Sequence, residues 1–129
     1  MYFTEHGVFE VKIEDNILLV DATGPFNEEL IIQYEKALES CINILETSKW
    51  NQIITLHQFS LFTPEAEQRL TQSLKNRRSR RLVACVVVLK NIEGESLIKE
   101  QMSRCYKCAG VKHEFATSVH DANRRLATI

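Results

Sequence analysis

Residues 53–74, IITLHQFSLFTPEAEQRLTQSL, decide how this chain is read. They begin as a buried strand, pass through a short loop and enter a helix whose start is signalled twice. Thr63 offers a side-chain oxygen to the free N–H groups of a first turn, and Pro64 fits that turn because its missing N–H would have had no partner there. Strand, loop and helix in this order make up the repeating unit of α/β folds. Such folds place their working surface at the carboxyl ends of the strands.

Downstream, the helix runs to about residue 78 and is only weakly apolar, through Ala66, Leu70 and Leu74. Residues 82–89 (LVACVVVL) show no alternation and are rich in β-branched side chains, as expected of a central strand covered on both faces. Residues 91–94 lead into a helix over 95–109, with Ile98, Met102, Cys105 and Ala109 in its stripe and Gly110 as its stop. A short strand at 111–115 follows. Ser118 and Asp121 then resemble a capping box, with Asp as the acidic partner, ahead of a last helix facing inward through Val119, Ala122 and Leu126.

Upstream, residues 8–13 (VFEVKI) alternate apolar and polar, and residues 17–22 (ILLVDA) are more apolar. The turn Glu14-Asp15-Asn16 between them makes the pair an antiparallel hairpin. Thr23-Gly24-Pro25-Phe26 breaks the pattern, and Asn27 can cap a helix with the stripe Leu30, Ile31, Tyr34, Ala37, Leu38, Cys41, Ile42 and Leu45. A strand at 52–59 closes the gap to the opening stretch.

The order is ββαβαβαβα over a single domain, residues 1–129. The fold class is therefore α/β: an N-terminal β-hairpin followed by parallel βα units in one mixed sheet. With right-handed crossovers stepping in one direction, the helices lie mainly on one face. The other face and the strand-to-helix loops are left for contacts.

The totals narrow the function. Sixteen basic and seventeen acidic residues give a net charge of -1, so no global field draws the chain to nucleic acid, and no nucleic-acid partner is expected. The N-terminus lacks the basic and apolar regions of a signal peptide, and the longest apolar run is too short to span a bilayer. Four cysteines without an export signal fit reduced thiols and a cytoplasmic location.

Thr63 is the first candidate for function. A helix N-terminus stabilises anions, and a phosphate on Thr63 or on nearby Ser60 would add nearly two negative charges to the junction. Phe59, Leu61 and Phe62 crowd the same loop, His57 stands at the strand end, and Glu65 opens the helix. A patch for a partner, or a pocket with Phe26 for a small apolar or anionic ligand, can form there. Residues 75–81, KNRRSRR, can hold an anion through Arg77 and Arg78, although cations at a helix end also suit its dipole. Cys105 and Cys108 form a CxxC, but at a helix end, where the dipole disfavours a thiolate, so both are read as core thiols, as are Cys41 and Cys85.

The four histidines are scattered, and no metal set emerges at a familiar spacing. His57, Ser60 and Asp21 do not sit in a GxSxG elbow, so no catalytic role is assigned. Neither a P-loop nor GxGxxG is present, so no cofactor is expected.

The hairpin ending in a Gly turn, the hydroxyl residue at the second helix start and the closing HEFATSVHDANRRL resemble, in layout, the STAS domains of anti-sigma-factor antagonists. In that family a short strand leads to a closing capped helix carrying Ala and Leu, here Ala122 and Leu126. The loop after the third strand carries a phosphorylatable serine, preceded by aspartate and followed by small residues. Thr63 holds the similar place here, with Phe62 before it and Pro64-Glu65 after it. The resemblance implies a non-catalytic regulatory domain that binds another protein, a kinase-like or other regulator, under control of a phosphate. Some relatives have been suggested to bind lipids or other apolar ligands, which is the alternative expectation. Homodimerisation stays open.

Overall fold

A computed structural model describes residues 2–3 and 8–129. The strands are β1 (Tyr2–Phe3), β2 (Val8–Glu14), β3 (Ile17–Thr23), β4 (Trp50–His57), β5 (Leu82–Lys90) and β6 (Lys112–Ala116). The helices are α1 (Glu28–Leu45), α2 (Pro64–Ser79), α3 (Glu95–Ala109) and α4 (Val119–Leu126). The strands form one sheet in chain order, β1-β2-β3-β4-β5-β6. Pairing is antiparallel from β1 to β3 and parallel from β3 to β6. This is the expected α/β layout with a two-residue edge strand added.

Helices α1, α2 and α4 begin at a side-chain cap, whereas α3 starts at Gly94 without one. Asn27 accepts from the Leu30 N–H at 2.9 Å, Thr63 from the Ala66 N–H at 3.2 Å, and Ser118 from the Asp121 N–H at 3.0 Å. Gly110 ends α3 at φ 74°, in the left-handed region that only glycine enters without a Cβ penalty. At the hairpin, Asp15 takes φ 56° and leaves Glu14 opposite Ile17.

Period-two alternation sorts the strand residues onto two faces. On the first face, Phe9, Leu18, Val20, Ala22, Ile54, Leu56, Cys85 and Val87 pack in one cluster with the stripes of α1, α2 and α3. α2 packs between α1 and α3. On the second face, Ile53, Val86, Val88 and Ala116 pack against Ala122 of α4, with Leu126 at the margin. The last helix thus departs from the expectation that the open face stays bare. Helices α1 to α3 each join two parallel strands in adjacent positions and share a side. α4 instead packs its Ala122 and Leu126 on the apolar surface of the other side. With both sides covered, Ala84 to Val88 of β5 are all buried.

Candidate functional site

The carboxyl ends of the parallel strands line up, with Thr23, His57 and Lys90 in register across β3, β4 and β5. The loops leaving these ends are stitched together. The Phe26 N–H donates to the Leu61 carbonyl at 2.8 Å, and the Thr63 N–H donates to the Phe26 carbonyl at 3.0 Å, a one-residue parallel bridge between Phe26 and Phe62. Gln101 of α3 closes the other side. Its Oε1 accepts from the Phe62 N–H at 3.0 Å and its Nε2 donates to the Phe62 carbonyl at 2.9 Å. The Glu93 N–H donates to the Gln58 carbonyl at 3.0 Å, tying in the loop after β5.

Ser60 is fully buried beneath this stitching. Its hydroxyl donates to the His57 carbonyl at 2.6 Å and accepts from the Gly24 N–H at 3.1 Å. Gly24 has to be glycine, because a Cβ there would meet the Ser60 Cα at 2.9 Å. Ser60 is therefore a loop anchor, which corrects its assignment as an accessible phosphoacceptor. Phe26 and Phe62 are corrected in the same way. Their rings meet at 4.8 Å, and both are buried, at 4% and 7% exposure. The void beside them has a volume of about 20 Å³. That is room for about one water molecule rather than a ligand, and Phe59 does not line it.

What remains at the surface is narrower than the expected set. Phe59 is 46% exposed, Thr63 and Glu65 are exposed, and Leu61 is half-buried. Leu97 lies one helical turn before Gln101 on α3 and is 44% exposed. His57 points to the second face, with its Nε2 2.9 Å from Asp21 Oδ1. Ser60 Oγ turns to the backbone of the loop instead, so Asp21, His57 and Ser60 do not form a relay.

The basic segment is largely spoken for. Arg77 is buried, with its guanidinium 2.6 Å from Gln52 Oε1, 3.1 Å from Ser73 Oγ and 5.6 Å from the centre of the Tyr34 ring. It occupies the next turn of the Ala66, Leu70, Leu74 stripe. Arg80 bonds Glu39, Asn43 and Glu46 of the α1 end, and Arg81 donates to the Thr47 carbonyl at 2.8 Å. Arg77 is thus a core residue and not a contact residue. Arg78 is exposed, with its guanidinium over Gly110.

The cysteine pair divides. Cys105 is buried in the stripe, where desolvation pushes its thiol up to about 11, whereas Cys108 is exposed and is not a core thiol. Burial likewise pushes Cys85 up to about 12, beside the Tyr106 hydroxyl at 2.9 Å. His113 stacks on Tyr106, and burial lowers its pKa. His120 is exposed, and His6 lies outside the described residues. Among the described residues no cluster of His, Cys, Asp and Glu is placed to hold a metal ion, and no helix is long and apolar enough to cross a membrane.

Gln101 was not a sequence candidate, yet it holds the loop. The signal was present: it stands beside Ile98, Met102 and Cys105 on the buried stripe, where a polar side chain has to find partners. Leu97 gave the converse signal, a large apolar residue off that stripe. Compared with known proteins, the chain matches no protein-family model and no curated protein.

Proposed function

We propose that the chain is a non-catalytic, STAS-like regulatory domain that works by binding another protein at the carboxyl edge of the sheet. The observation that carries this reading is an exposed aromatic residue, Phe59, held beside an exposed helix cap, Thr63, on a loop fastened from both sides. A fastened loop loses little freedom on binding, so contacts at Phe59, Leu61 and Leu97 are not spent on ordering it. Covering the exposed half of Phe59 contributes about 1–1.5 kcal/mol, roughly a tenfold change in affinity.

Thr63 supplies the means of control. A phosphate there is stabilised by the N-terminus of α2 and places up to about two negative charges at the rim of an apolar contact. An apolar partner surface would then have to desolvate that charge, which weakens the complex without any change of fold.

Affinity capture with the parent chain, Phe59→Ser and Thr63→Asp tests this reading. Bound material is analysed for proteins and for small molecules. A single protein retained in about 1:1 ratio by the parent, and lost with both variants, is the expected result. Retention indifferent to both changes overturns the reading. A small apolar molecule retained with no protein would make the chain a carrier instead.

A further inference from the structure

The described residues cover only about half of the second face of the sheet. α4 lies over β4 to β6, and beside it the face opens into a groove of about 320 Å³. Its floor is Ile17, Leu19 and Ile53, and Val119 on the flank of α4 is its apolar wall, 41% exposed. Among the described residues its rim is charged: Glu10, Glu14, Asp15 and Asp21 stand against one cation, Lys12. Lys12 lies 3.9 Å from Glu14, and both side chains are about two-thirds exposed.

The chain itself shows what this face accepts. α4 lies on the neighbouring half with Ala122 and Leu126 on the apolar strands and Arg125 reaching the Glu114 carboxylate of β6 at 3.2 Å. The groove repeats that chemistry one helix-width away. It has apolar side chains on β3 and β4 and carboxylates on β2, and none of the helices α1 to α4 lies above them. The row from Glu10 to Glu14 is about 13 Å long at about 3.3 Å per residue, which matches about nine residues of helix.

We propose that this groove docks a basic amphipathic helix of a partner protein, laid beside α4 with its apolar side on Leu19 and Val119 and its Lys or Arg side chains on Glu10 and Glu14. The rim selects the sign of the partner. An acidic helix meets like charge, and an anionic lipid surface is repelled. The groove is separate from the Phe59 loop, so the two surfaces stand or fall independently.

The probe is a fluorescent amphipathic peptide of about twelve residues made of Leu and Lys, with a Leu/Glu peptide of the same pattern as control. Anisotropy gives the affinity, and amide shifts of the labelled chain give the location. The expected result is binding of the Leu/Lys peptide with shifts at Ile17, Leu19, Ile53 and Val119. Binding should weaken about tenfold in Glu10→Lys/Glu14→Lys and also between about 50 and about 300 mM salt. Both glutamates are exposed, so the fold should survive. Val119→Asn, also at an exposed position, removes the apolar wall independently without adding charge. Shifts at the Phe59 loop instead, equal binding by both variants, or equal binding of the Leu/Glu peptide would overturn the proposal. So would groove shifts that grow with protein concentration without peptide, which would make a second copy of the chain the occupant.

Discussion

Gln101→Leu removes the clamp on the loop while nearly preserving volume. Two hydrogen bonds go, from the Phe62 N–H at 3.0 Å and to the Phe62 carbonyl at 2.9 Å, and both backbone groups are left in a buried setting. An unsatisfied buried group costs about 1–3 kcal/mol. The added apolar surface returns roughly 1 kcal/mol. With two such groups the expected loss is therefore about 1–5 kcal/mol, a large share of the roughly 5–15 kcal/mol that stabilises a typical domain. Urea unfolding should show a lower midpoint at an unchanged slope, and hydrogen exchange should show the Phe62 amide losing protection far more than the amides of β5. Gln101→Glu is a finer probe. At neutral pH its carboxylate accepts from the Phe62 N–H but faces the Phe62 carbonyl, and on protonation it can donate there, so its deficit should shrink in acid. A loss under about 1 kcal/mol, with the Phe62 amide still protected, would refute the idea that Gln101 fastens the loop.

Three further predictions concern other parts of the fold. Thr63→Ala should cost about 1 kcal/mol through loss of the bond to the Ala66 N–H, measurable by chemical unfolding; an unchanged midpoint would place the helix start elsewhere. In the native state a thiol reagent should modify Cys108 first and half-buried Cys41 more slowly, leaving Cys85 and Cys105 until unfolding. Cys105→Ser should then leave native labelling unchanged and Cys108→Ser should remove its fastest phase, so a drop in the first variant contradicts the packing. Arg124 and Arg125 hold Asp121 down at about 2, below the usual carboxylate value of about 3.9. Its contribution is present above about pH 4 and lost as pH falls toward 2. Asp121→Asn should therefore be less stable than the parent at neutral pH, with the difference closing in acid; a constant difference across that range would count against the ion pairs.

The elements were legible because local chemistry marked their ends. Asn27, Thr63, Ser118 and Gly110 each stand where a helix starts or stops. The unbroken apolar run of β5 announced a strand covered on both faces. What the sequence concealed depends on contacts between distant segments. The bridge between Phe26 and Phe62 buries two aromatics that loop residues by themselves would display, and Ser60 is sealed by Gly24, 36 residues away. Arg77 was hidden by its charge: its spacing from Leu70 and Leu74 placed it on the stripe, but an arginine amid a basic run reads as solvated. Cys108 was hidden by its motif, since Cys105 and Ala109 already fill the stripe at that turn. The side taken by α4, and so the groove beside it, depends on packing of Ala122 and Leu126 against strands far away in the sequence.

Binding of another protein at the fastened loop, with release by charge at Thr63, is the function proposed for this chain. A photo-crosslinking residue placed at Phe59 in cells tests it most directly, with the same residue at Ile44, 65% exposed on α1, as the control. The expected result is one protein adduct from position 59, little from position 44, and loss of that adduct in the Thr63→Asp background. Adducts of equal yield at both positions, or an adduct from position 59 that ignores Thr63→Asp, would contradict it.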